Sequence, residues 1–139
     1  MSRAALIESA RDLARGLRAQ HGTQSAFVLA RLCGIEVVRL SWQVAAGRVL
    51  YFAECMRQPL RIVLNEAALE SYQPDEAERL SEIIIAHELG HLLLPQPAAW
   101  DSYSKYEEAA HAFAQELTGL PFHPTYYAQL LRQPKIAHE

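Results

Sequence analysis

The stretch "IIIAHELGHLLL", residues 83–94, sets two histidines and a glutamate inside a run that otherwise reads as buried core. Just upstream the helical period starts at Gln73. Pro74 suits a first-turn position, and Asp75, Glu76 and Glu78 sit near the positive end of the helix dipole. Pro95 and Pro97 end the run. A helix from about Pro74 to Leu94 puts His87 and His91 one turn apart on one face, with Cβ atoms roughly 6 Å from each other. Two imidazoles so spaced can converge on one tetrahedral Zn2+. Glu88, about 100° further round the axis, misses the ion itself but can reach a water bound to it. Metal-assisted hydrolysis needs that set: the ion acidifies the water, and the carboxylate takes its proton and returns it to the leaving amine.

The plainer alternative is a core helix that happens to carry polar residues, since a five-residue pattern also arises by chance. The setting argues against it. Burying these groups without partners among Ile83, Ile84, Ile85, Leu89, Leu92, Leu93 and Leu94 would cost about 1–3 kcal/mol each, and a metal removes that cost. Gly90, between the histidines, costs the helix about 1 kcal/mol relative to alanine. That makes sense where another segment must pass close to this face.

Further upstream, "SRAALIESARDLARGLRAQHG" repeats apolar residues at Ala5, Leu6, Ala10, Leu13, Ala14 and Leu17 with helical period and ends at His21-Gly22. "TQSAFVLARLCG" predicts a short second helix with Thr23 as N-cap and Gly34 as its stop. Then come three β-branched and aromatic runs, Ile35 to Trp42, Gly47 to Cys55 and Leu60 to Asn65, with Pro59 at a strand start. Downstream of the central helix, "YEEAAHAFAQELTG" predicts a helix closed by Gly119, and "TYYAQLLRQ" a short last one. The expected class is α+β: a small, three-stranded, mostly antiparallel sheet packed with the histidine helix and about four further helices. No repeat or linker divides the chain, so residues 1–139 read as one domain.

A catalytic zinc takes three protein ligands and keeps one open position. The candidate for the third is Glu107, on the helix after the two prolines. Glu108 competes with it and Glu116 more distantly, because most glutamates on an amphipathic helix are solvated. Cys33, Cys55 and His123 are poorer candidates, as nothing in their setting pairs them with the histidine helix. If Glu107 is the ligand, His111 lies one turn on along the same face and can support a metal-bound histidine.

Composition bounds the partners. Half of the 139 residues are hydrophobic, about a fifth are charged, and the net charge is −3. Arg3, Arg11, Arg15 and Arg18 are interspersed with acids rather than gathered into a basic face, which argues against direct nucleic-acid binding. No apolar run is long enough to span a bilayer and no leader pattern opens the chain, so a cytoplasmic protein without membrane attachment is expected. The two cysteines, with no CxxC, give neither a disulfide framework nor a zinc ribbon.

The segments "IVLNEAALES", "AERLSEIIIAHELGHLLL" and "YEEAAHAFAQEL", with "LP" after the last, resemble the ImmA/IrrE family of small zinc metallopeptidases, part of the broader HExxH gluzincin-like group. Upstream, "ARDLARGLRAQHG", "LARLCGIEVVRL" and "RIVLN" extend the resemblance to roughly Ala4 through Pro121. It implies a minimal zincin-like fold, with His87, His91 and Glu107 as zinc ligands and Glu88 as general base and acid. It further implies proteolysis of a partner regulator, a helix-turn-helix repressor on a separate chain. The sequence departs from the family pattern at three places. His111 replaces a small polar residue, Pro95 stands where many relatives carry a histidine, and "ELTGLP" is one residue longer than usual.

The expected mechanism has an extended substrate lying against a sheet edge, "GRVLYFAEC" being the candidate. Tyr103, Tyr106, His123, Tyr126 and Tyr127 are candidates for the oxyanion donor. Two rival functions stand beside it: a non-catalytic protein that keeps zinc as a brace while it sequesters a partner, and a hydrolase of small amides or esters.

Overall fold

A computed structural model describes residues 2–41, 52–70, 72–95 and 103–120. In chain order the elements are helix α1 (Arg3–His21), helix α2 (Ala26–Leu32), strand β1 (Glu36–Leu40), strand β2 (Ala53–Arg57), strand β3 (Leu60–Asn65), a 3₁₀ turn (Glu66–Leu69), helix α3 (Pro74–Leu93) and helix α4 (Tyr103–Thr118). The class is α+β, as the periodicity predicts. Trp42, the Gly47 to Tyr51 part of the second expected strand, Pro97 and the expected last helix lie outside the described residues.

Local chemistry accounts for the ends of the helices. Ser2 caps α1 through its hydroxyl, and Gly22 closes it in the left-handed conformation at φ 65°. The cap of α2 is Ser25 rather than Thr23: the Ser25 Oγ accepts from the Val28 amide, while Thr23 Oγ1 accepts from the Ser25 amide and shapes the approach to the helix. Glu82 of α3 joins this cap, taking hydrogen bonds from the Ser25 hydroxyl at 2.8 Å and the Ala26 amide at 2.6 Å. A carboxylate thus sits at the positive end of α2 and ties it to α3.

The sheet has the order β1-β3-β2, and it is mixed rather than mostly antiparallel. β2 and β3 form a hairpin across Gln58–Pro59, whose peptide is cis, with Arg57 opposite Leu60 and Ala53 opposite Leu64. β1 runs parallel to β3, from Glu36 beside Arg61 to Leu40 beside Asn65. A parallel pair needs a crossover in place of a tight turn, and no local pattern announces one. As the central strand, β3 buries Ile62, Leu64 and Asn65.

α3 packs against β2 and β3 on one side and α4 on the other, and α1 lies along α4. Leu80, Ile83, Ile84, Ile85, Ala86, Leu89 and Leu92 of α3 are buried, as expected of a helix that other elements surround. Leu6, Ala10 and Ala14 of α1 join Ala109, Phe113, Ala114 and Leu117 of α4 in the same core. Among the described residues no helix is long and apolar enough to cross a membrane.

Candidate metal centre

His87 and His91 project from α3 towards α4, and Glu107, in the second turn of α4, projects back. The His87 Nε2 lies 3.1 Å from Glu107 Oε2, and the His91 Nε2 lies 2.9 Å from Glu107 Oε1. The two Nε2 atoms face each other at 3.2 Å, with the rings edge to face. His87 and Glu107 are buried and His91 is partly open. Together the three offer ligand atoms within 4.8 Å of one another and can hold a metal ion.

The contacts fit a cation better than they fit hydrogen bonds alone. If both imidazoles donate from Nε2 to Glu107, two N–H groups are left facing each other at 3.2 Å. If each nitrogen presents a lone pair instead, a positive ion reconciles all three contacts. Two nitrogens bound tetrahedrally at roughly 2.0–2.1 Å lie about 3.3 Å apart, close to the spacing here.

Burial pushes the Glu107 carboxyl up, but the two imidazoles of His87 and His91 set against its oxygens outweigh it. The group is held well below the usual carboxylate range, so it is an anion. Glu88 is buried next to His87 on α3 and does not belong to the converging three. His111, one turn beyond Glu107, is partly buried and also stands outside the group. Burial first, then charge on His87, pushes its imidazole down to about 4, so it is neutral near pH 7.

The packing chooses between the glutamates. Glu108 turns outward to the Arg3 guanidinium at 2.7 Å, and Glu116 pairs with Arg15 at 2.8 Å. Arg18 also donates to the Glu116 carbonyl, so α1 fastens α4 at both ends while Glu107 faces α3. Gly90 permits the close crossing of α3 and α4. A Cβ there would lie 3.1 Å from Ala110 Cα and 3.3 Å from the Ala110 carbonyl oxygen, as the cost of a mid-helix glycine led one to expect.

Cys33 and Cys55 pack partly buried against the core and do not belong to the converging three, and burial pushes the Cys33 thiol up. Tyr106 packs partly buried against the same core. His123, Tyr126, Tyr127 and the Tyr103 side chain fall outside what the structure describes. One participant has no counterpart in the sequence reading: Arg57, at the end of β2, donates from Nη2 to the His91 carbonyl at 2.8 Å and from Nη1 to the Leu92 carbonyl at 3.3 Å. The signal for it is Pro95, which has no N–H to offer the His91 carbonyl one helical turn earlier. No family model, curated protein or solved structure matches the chain.

Proposed function

We propose that the chain is a zinc-dependent endopeptidase that cleaves a partner regulatory protein in trans. The observation that carries this reading is the convergence of His87, His91 and Glu107 with Glu88 buried beside them. Two imidazoles and one carboxylate form a donor set suited to a catalytic zinc, which takes three protein ligands and leaves a position for water. Zinc, when bound, supplies Lewis-acid chemistry, polarising a carbonyl and acidifying water.

The chain's own residues do the rest. The Glu88 carboxylate takes the proton of the attacking water and passes it to the amine that leaves. The Glu107 anion balances the charge of the ion and orients both imidazoles. Apolar neighbours on α3 keep the mount dry and rigid, so the groups need little reorganisation during reaction. β2, which packs on α3, is the strand against which an extended substrate would lie. A separate helix-turn-helix regulator as substrate rests on the resemblance to the ImmA/IrrE family.

The test is cleavage of regulators encoded beside the gene, using zinc-loaded protein and a Glu88→Gln variant. The wild type is expected to cut one of them. The variant should keep the metal and lose about 100-fold or more in rate, the scale of general acid–base catalysis. A variant that cuts at the wild-type rate removes Glu88 from the mechanism. Zinc-loaded protein that leaves every such regulator intact favours the non-catalytic, sequestering reading.

A further inference from the structure

The last turn of α3 carries His91, and the donors that complete it come from outside the helix. Helix ends leave four carbonyls without an in-helix partner. Here the Gly90 carbonyl accepts from the Leu94 amide at 2.9 Å, which closes the helix one residue before the proline. The next carbonyl, that of His91, would ordinarily accept from the N–H of residue 95, but residue 95 is Pro95. The Arg57 guanidinium takes that place, its fork bridging the His91 and Leu92 carbonyls at 2.8 and 3.3 Å. It also sets a positive charge at the negative end of the helix dipole.

Arg57 is well placed for this task. It is the last residue of β2, held opposite Leu60 by the hairpin. Its side chain follows those of Ala53 and Cys55 onto the face turned to α3, as strand alternation requires. A planar fork with several donors can serve two adjacent carbonyls, which one ammonium does less well. His91 is the more exposed of the two histidines and lies in the turn that frays first.

We propose that Arg57 is a positioning residue for the metal centre: it supplies the donor that Pro95 withholds and so fixes the last turn of α3, with the His91 imidazole, for the ion. The inference rests on the reading of His87, His91 and Glu107 as metal ligands. It assigns the β2–β3 hairpin a part in metal binding besides forming the sheet.

The experiment measures Zn2+ affinity by chelator competition and the visible spectrum of the Co2+-loaded full chain. The proteins are wild type, Arg57→Ala, Arg57→Lys, and Arg57→Ala in a Pro95→Ala background. Arg57→Ala should bind about tenfold more weakly, the scale on which supporting groups tune metal sites, with an altered Co2+ spectrum. Arg57→Lys should recover part of the affinity. Leu94 is extended in the structure at ψ 157°, as a residue before proline prefers to be. Pro95→Ala lifts that restriction and lets a helical Leu94 bring an N–H to the His91 carbonyl, so removing Arg57 there should cost less than in the wild type. Arg57→Ala affinity within about twofold of wild type and an unchanged spectrum would overturn the inference. So would an undiminished loss in the Pro95→Ala background. Failure of the wild type itself to bind either ion would overturn the metal-centre reading and this inference with it, an outcome distinct from the other two.

Discussion

Gly90 turns its bare Cα to the backbone of Ala110, so close that a Cβ would meet Ala110 Cα at 3.1 Å and the Phe113 ring at 3.2 Å. The same crossing that brings α4 this near also delivers Glu107 to His87 and His91. Because two of the atoms in the way belong to backbone, a methyl group at 90 has to push the α4 axis outward. Gly90→Ala should gain about 1 kcal/mol of helix propensity and lose about 1–3 kcal/mol to overpacking, a small net destabilisation. Metal affinity should fall out of proportion to that change. Calorimetry and metal titration of one sample check both, and unchanged affinity would refute the link between the crossing and the ligand set.

Glu107 and Glu108 are neighbours in sequence with opposite surroundings. Glu107→Gln keeps the shape and removes the charge between the two histidines. It should weaken metal binding by more than the roughly ten- to hundredfold typical of supporting groups. Glu108→Gln breaks only the partly exposed pair with Arg3, so it should cost at most about 1 kcal/mol and leave metal affinity unchanged. Equal losses in the two variants would mean that the wrong glutamate has been assigned.

Removing the metal should lower thermal stability. A ligand at 100 times its dissociation constant contributes about 2.7 kcal/mol to the folded state. For a chain of this length that corresponds to roughly 10 °C in Tm. A thermal scan with and without chelator reads the shift. No shift would mean that the three groups do not hold the ion in the folded protein.

Acid should destabilise the metal-free protein in a window that His111 sets. Its imidazole has an ordinary value of 6.5 and is pushed down to about 4 in the fold. Between those values the unfolded chain carries a proton that the folded chain refuses. The contribution is therefore complete above about pH 6.5 and is lost as pH falls towards 4. Discounted for partial burial, it is on the order of 1–2 kcal/mol. Glu107 acts in the same direction at lower pH: its contribution is present above its ordinary 4.5 and disappears only below that. Urea unfolding at pH 7.5, 6 and 5 should show a flatter response in His111→Asn than in wild type. Parallel curves would rule His111 out as the cause.

The sequence made the histidine helix legible because its information is local: Pro74 opens it, the spacing of His87 and His91 is one turn, and Pro95 closes it. Glu107 was within reach as one of three glutamates on a helix whose period is clear. What separates it from Glu108 and Glu116 is the position of Arg3 and Arg15 on α1, a tertiary fact that periodicity does not carry. The parallel partnership of β1 with β3 is of the same kind. So are the Glu82 clasp on α2 and the Arg57 fork, each made by a side chain from a distant element. Pro95 and Gly90 show how such contacts can be sought: each is a local fault in a helix, a missing donor and a missing side chain, that a distant segment has to answer.

The clasps between α1 and α4 join residues 98 to 105 positions apart. Closing so long a loop is slow, because its entropy is lost before the contacts repay it. His87 and His91 lie on one helix and come together as soon as it coils, and Glu107 joins them when α4 folds back on α3, a closure of only about 20 positions. During refolding, a weak ion complex should therefore form early on the α3–α4 pair and tighten only in a later, slower stage, when the α1 clasps hold α4 in place.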